Sequence, residues 1–148
     1  MNGSWDRPST SEWAEVLSGF PLFSGVSKRR LRKLVRNARF AELAPGDHVI
    51  SSGDGADSLY VVLGGAAKAL AKPAARPLGV GDYFGELALM DGAPRSATVV
   101  ATEELHVMQV PRESLLQLAQ RHPAVALTML RSLSSQFRSL ETQLARPV

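Results

Sequence analysis

A chain of 148 residues, 45% hydrophobic and 21% charged, has the composition of one globular domain, which excludes general disorder and leaves little room for a second core. It contains no cysteine, so disulfide scaffolds, thiolate metal sites and thiol catalysis are excluded, and a reducing cytoplasm suits it. Net charge is +3, no apolar run approaches the roughly twenty residues of a membrane span, and the polar start MNGSWDRPSTSEW lacks the apolar centre of a secretion signal; a cytoplasmic protein without membrane contact is expected.

Residues 1–10 read as a flexible leader before a single domain at 11–148, made of helices at 11–39, a β-roll at 40–111 and C-terminal helices at 112–146. The first helix is expected from about Ser11 to Gly19, with Trp13, Val16 and Leu17 on one side. A PLFSGVS turn, Pro21 to Ser27, leads to KRRLRKLVRNAR, Lys28 to Arg39, a basic run without an acid. Leu31, Leu34, Val35 and Ala38 recur there at helical spacing, so the simplest reading is a helix with one face on the core and a solvated basic face, ending between Asn37 and Phe40. Attraction of nucleic acid or an anionic surface to residues 28–39 is the alternative reading.

The period then changes. Phe40–Leu43, His48–Ser51, Ser58–Leu63, Ala66–Ala71 and Arg76–Val80 are short extended segments separated by PGD, SGDGAD and GG turn signals, and Thr98–Ala101 and Leu105–Pro111 follow after an interval. Short strands with closely spaced turns predict a β-sandwich or roll, and with helices at both ends the class is α+β. Glu113–Arg121 carries Leu115, Leu116, Leu118 and Ala119 at helical spacing. His122 before Pro123 breaks it, because a residue preceding proline is pushed out of the helical region, and Pro123 suits a new helix start. Along that last helix Ala126, Leu130, Leu133, Phe137, Leu140 and Leu144 alternate spacings of four and three, the seam of a heptad repeat. The seam either covers the chain's own roll or pairs with a second copy through residues 126–144.

Between the two groups of strands lies GDYFGELALMDGAPRSATVVA, Gly81 to Ala101. Gly85 lets the backbone turn or approach a ligand closely. Glu86 can accept hydrogen bonds from a sugar hydroxyl, and the free amides of Leu87 and Ala88 open a helical turn that attracts an anion. Arg95 supplies an always-ionised fork suited to phosphate. The order and spacing of GELA and then PRSATV resemble the phosphate-binding cassette of the cyclic nucleotide-binding domains of cAMP-dependent kinase regulatory subunits and bacterial catabolite activators. The resemblance extends to ELAPGDHVISSGDGADSLYVVLGGAAKAL, Glu42 to Leu70, and covers about Phe20 to Leu144.

That resemblance implies a jelly-roll-like β-roll with N-terminal helices, a cassette helix inside the roll and two C-terminal helices, the last hinging on ligand binding. It implies that Glu86 bonds the ribose 2′-hydroxyl, that Gly85 allows the approach, and that Arg95 neutralises the cyclic phosphate with the amides of Leu87, Ala88 and Ser96. The ligand is expected to be cAMP rather than cGMP, although Ser96, directly after the arginine, fits either. Val62, Leu63 and Phe84 are candidate apolar contacts to the base, with ordinary core packing as their simpler role; Arg138, Glu141 and Thr142 are candidate polar contacts from the last helix, on a face that solvation alone would explain.

Other functions find less support. The three histidines, His48, His106 and His122, have no i, i+4 or i, i+2 metal spacing, and Ser96 has no histidine nearby in sequence to act as a base. No catalytic residues, no metal and no catalytic cofactor are therefore expected. A roll that has lost its ligand and serves as an interaction scaffold is the alternative to a sensor. A direct transcription factor is disfavoured because the chain stops at Val148, where catabolite activators continue into a helix-turn-helix; either the protein signals through an unidentified protein effector, or the sequence is a sensor module detached from its output domain.

Overall fold

A computed structural model describes residues 8–51, 53, 57–70, 75–86, 92 and 97–145. The leader's Met1 to Arg7, most of the SGDGAD turn and the end of the expected Ala66–Ala71 strand lie outside the described residues. Helix α1, Thr10–Ser18, starts one residue before the expected point because Ser9 caps it. The Ser9 hydroxyl accepts from the Glu12 amide, and the Glu12 carboxylate accepts from the Ser9 amide, both at 3.2 Å. This reciprocal cap satisfies two amides the helix cannot, and the bond from the Ser9 backbone holds the Glu12 carboxyl below its ordinary value. The buried face of α1 is Trp13, Ala14 and Leu17. Val16, expected on that face, is 42% exposed: Ala14 and Val16 flank the Trp13–Leu17 line on opposite sides of the helical wheel, and the core lies on the side of Ala14.

A single 3-10 turn at Pro21–Phe23 follows. Helix α2, Lys28–Asn37, is capped by Ser27 and buries Leu31, Leu34 and Val35, as its apolar spacing requires. Eight strands come next: β1 Arg39–Leu43, β2 His48–Ile50, β3 Ser58–Gly64, β4 Ala67–Leu70, β5 Arg76–Leu78, β6 Tyr83–Phe84, β7 Thr98–Ala101 and β8 Leu105–Pro111. Helices α3, Arg112–Arg121, and α4, Pro123–Leu144, close the described chain.

The strands form two antiparallel sheets, ordered β1-β8-β3-β6 and β2-β7-β4-β5. Among the described strands only the step from β4 to β5 stays within one sheet; every other connection carries the chain to the opposite sheet, which makes the architecture a roll. Side-chain alternation along β3 and β8 divides the interior in two. Leu59, Val61, Leu63, Met108 and Val110 face the helices, where they pack with Trp13, Leu31, Leu115 and Met129. Val62, Leu105 and Val107 face the other sheet and pack with Ile50, Ala69, Leu78, Phe84 and Val99.

Helix α4 is anchored by Val125 and Met129, which are buried. Its heptad seam is not covered by the roll: Leu130, Phe137 and Leu144 are 58%, 60% and 76% exposed. Of the two readings of the seam, packing against the chain's own roll is therefore corrected. The residues that anchor α4 lie one position before the seam residues Ala126 and Leu130, so the seam itself turns outward.

The corner between β3 and β4 depends on Gly65, whose φ is +81°. A methyl group there would overlap the Glu104 carbonyl, lying 2.9 Å from its carbon and 3.1 Å from the Leu105 Cα. Both obstacles are backbone, and neither can rotate away. Gly65→Ala is expected to lower unfolding stability by more than about 2 kcal/mol, whereas Gly46→Ala, also at positive φ but facing open space, loses only the conformational part. Urea unfolding of the two variants checks the difference.

Candidate functional site

The candidate site begins where the second sheet hands the chain back to the first. After β5, the Asp82 amide donates to the Gly79 carbonyl at 3.0 Å, and the Asp82 carboxylate accepts from the Gly79 amide at 2.8 Å, closing a tight turn. This turn docks on β3: the Gly81 amide donates to the Val62 carbonyl and the Val62 amide to the Asp82 carbonyl, both at 2.9 Å. Strand β6, absent from the sequence expectation, then pairs with β3 through Phe84 opposite Tyr60 and Tyr83 opposite Val61. Phe84 is buried between the sheets and stacks on Tyr60, with ring centroids 5.2 Å apart and planes within 6°.

Two consecutive residues convert this strand into a site. Gly85 has φ +93°, a left-handed conformation costly for any side chain, and helical backbone begins at Glu86. Glu86 is 5% exposed and is the one charged side chain buried among the described residues. A shielded carboxylate is stable only when hydrogen-bond donors surround it. The arrangement is an inward-facing acceptor on a rigid turn, suited to hydroxyl or amine donors.

Tyr83 is the neighbour that sequence reasoning missed. Its ring packs with the helical core while the adjacent Phe84 packs between the sheets, as alternation demands. Burial pushes its phenol above the usual 10.0; the Ser132 hydroxyl of α4 beside it opposes this, and the nearby Glu86 carboxylate adds to it. Tyr83 thus stands between the candidate site and α4. A two-residue strand has no periodicity to detect, and the approach of Ser132 is a contact between distant segments, so the sequence carried no signal for either.

Of the other expected site residues, Val62 and Phe84 lie in the core between the sheets, whereas Leu63 turns to the helical core. Consecutive strand residues face opposite ways, so Val62 and Leu63 cannot line one pocket. Arg138, Glu141 and Thr142 are exposed on the C-terminal half of α4, where the Thr142 hydroxyl donates to the Arg138 carbonyl at 3.0 Å. Leu87, Ala88, Arg95 and Ser96 lie outside the described residues. Among the described residues no cluster of His, Asp or Glu could hold a metal ion, and no helix is long and apolar enough to cross a membrane.

Comparison with known proteins bears on the same segment. The profile described as "Cyclic nucleotide-binding domain" matches residues 40–122. The chain is 32% identical over 105 residues to a cAMP-dependent protein kinase regulatory subunit of Emericella nidulans, a match covering 69% of this chain and 26% of that protein. It is 30% identical over 139 residues to the cyclic AMP receptor protein of Thermus thermophilus, covering 86% of this chain and 62% of that one. The crystal structure of Thermus thermophilus catabolite activator protein superposes with a TM-score of 0.72 at 28% identity, covering 84% of this chain and 61% of that one. The chain thus spans less than two thirds of the length of these relatives.

The position of Tyr83 yields a pH prediction. A phenol whose folded value is raised adds stability that is complete below the unfolded value of about 10 and is lost as pH rises through the folded value. Ultraviolet titration is expected to show a phenol ionising later than an ordinary one, and Tyr83→Phe should remove that late phase.

Proposed function

Because the chain belongs to the cyclic nucleotide-binding domain family, we propose that its cassette, residues 81–101, binds cAMP and that the domain acts as a regulatory sensor. The observation that carries this reading is Glu86: a carboxylate 5% exposed, held at a helix start by a left-handed glycine. In the proposed complex the Glu86 carboxylate accepts from the ribose 2′-hydroxyl, and Gly85 removes the side chain that would block the sugar. Arg95 neutralises the cyclic phosphate, helped by the amides of Leu87, Ala88 and Ser96. A shielded monoanion without a cation would be costly, which gives Arg95 its role. The preference for cAMP over cGMP draws on the relatives named for cAMP. The pocket binds its ligand and does not transform it, and the domain works in the cytoplasm.

Regulation follows as a shift of population. Ligand contacts bias α4 between two packings, and only a difference in affinity for the two can drive the shift. Its output is read by a protein effector and by a second copy of the chain. The exposed seam of Leu130, Phe137, Leu140 and Leu144 supports the homodimer through residues 126–144. The flanking positions Ser134, Gln136, Glu141 and Gln143 place no two like charges opposite one another when two copies align in parallel. Arg131 and Arg138 point away from the seam.

Calorimetric titration with cAMP and cGMP tests the site. Affinity for cAMP is expected to be about micromolar or tighter, and Arg95→Glu should weaken it at least about tenfold. Loss of the 2′-hydroxyl, with 2′-deoxy-cAMP as the probe, should weaken binding to the native chain but make no difference to Glu86→Ala; failure of the native chain to bind either nucleotide overturns the reading. For the seam, sedimentation of the native chain and of Phe137→Glu, with and without cAMP, is expected to show a dimer only for the former. A native chain that is monomeric in both states rules the dimer out.

A further inference from the structure

A concave surface lies outside the roll, between α2 and α3, which pack against each other. Arg30, Lys33 and Asn37 stand at i, i+3 and i+7 on α2, and Ser114, Gln117 and Arg121 repeat the same spacing on α3. Each set is one stripe of its helix, so the two stripes face each other as the rims of a groove. Leu34 and Leu118 form its floor. The cavity measures about 50 Å³, several times the minimum for one water on that measure, enough for the end of one side chain.

The charge of this groove is unbalanced. Among the described residues no carboxylate pairs with Arg30, Lys33 or Arg121; the one acid joined to α2 is Glu15, which meets Lys28 at the far end of the helix. Three like charges facing one cleft repel one another, and an anion bound between them removes that cost. The shape of the cleft decides which anion. A duplex is too wide to enter, and a flat lipid surface cannot reach the floor. Single-stranded nucleic acid is held by stacking on aromatic side chains, and no aromatic residue lines this cleft. An extended acidic segment meets all three demands: carboxylates spaced along the chain reach the separate cations, backbone groups meet the Asn37 and Gln117 amides, and an apolar side chain rests on Leu34 and Leu118.

We propose that the α2–α3 groove is a docking site for an acidic peptide segment of a partner protein, with an apolar residue anchored between its carboxylates. The site is separate from the nucleotide pocket and does not depend on that reading. All three cations are solvent-accessible at the rims, so reversing them leaves the core intact.

Fluorescence anisotropy of the full chain with a labelled peptide carrying glutamates on both sides of a central leucine provides the test. Saturable binding is expected, weakened at least about tenfold by Lys33→Glu and by Arg121→Glu. Arg36→Glu, an equal charge reversal on the same helix outside the groove, should change it less than about twofold. Replacing the central leucine of the probe by serine should weaken binding as well. The proposal is overturned if binding is absent, if Arg36→Glu weakens it as much as Lys33→Glu, or if the serine probe binds equally well. It is also overturned if a duplex or single-stranded DNA oligonucleotide binds more tightly than the peptide through the same cations. Unchanged circular dichroism and melting of the variants exclude misfolding as the cause of a loss.

Discussion

The pairing of β3 with β8 at the centre of one sheet is the constraint on which the remaining structure depends. Residues of these two strands alternate between two cores: Val61 and Met108 face the helices, while Val62 and Val107 face the second sheet. Removing the pairing would open both cores at once. Each strand buries both faces, which is why SLYVVL and LHVMQV read as nearly continuous apolar runs instead of alternating ones. The helices α1, α2, α3 and α4 have no sheet of their own and gain their burial from the outer face of this ladder. The second sheet gains its burial from the inner face. At roughly 25 cal/mol per Å² of apolar surface, a strand buried on both faces contributes about twice what a strand buried on one face does, and the fold is organised around that difference.

The candidate site inherits its rigidity from the same ladder. Strand β6 is only Tyr83 and Phe84, yet it is fixed on β3 by strand pairing, by the turn bonds from Gly81 and Asp82 to Val62, and by the stacking of Phe84 on Tyr60. Gly85 and Glu86 follow immediately. A carboxylate buried on a mobile loop would swing toward water to recover its hydration; held at the end of an anchored strand, it stays inward. The site is therefore a consequence of sheet pairing that precedes it in the chain, and the glycine supplies only the final change of direction.

Much of this was legible in the sequence because it is local. Helical spacing located the buried face of α2 and, in α3, Leu115 and Leu118, although Leu116 from the same pattern is exposed; proline marked the start of α4, and apolar runs located β3 and β8 within a residue. Glu86 and Gly85 stood out because glycine, acid, amides and arginine at that spacing have one chemical use in common. What escaped was set by contacts between distant segments. The sequence predicted a sandwich or roll without a strand order, and nearly every turn between the described strands changes sheet, because the two cores must be closed from both sides. Tyr83 gave no signal, since its importance comes from meeting Ser132 of α4, far along the chain. Val16 was misplaced because Ala14, small enough to fit against its neighbours, takes the buried position. The α2–α3 groove needed two stripes brought together, and each alone is an ordinary solvated helix face.

In the proposed sensor, helix α4 is the element placed to transmit a binding event without unfolding. Its first turns are anchored: Val125 and Met129 are buried in the helical core, and Ser132 lies beside Tyr83, which is itself three residues before Glu86. Beyond that point the helix exposes Phe137, Leu140 and Leu144, side chains that gain nothing where they are. The apolar cost of that free end is relieved by any new surface offered to it. A charge change at Glu86 or a shift of Tyr83 acts on the anchored end, where the packing is tight and small displacements are felt. In the proposed sensor, the free end is the part that reports such a change. Sensitivity in such an arrangement comes from leaving the seam exposed, since a seam already covered by the roll would require those contacts to be broken before α4 could move.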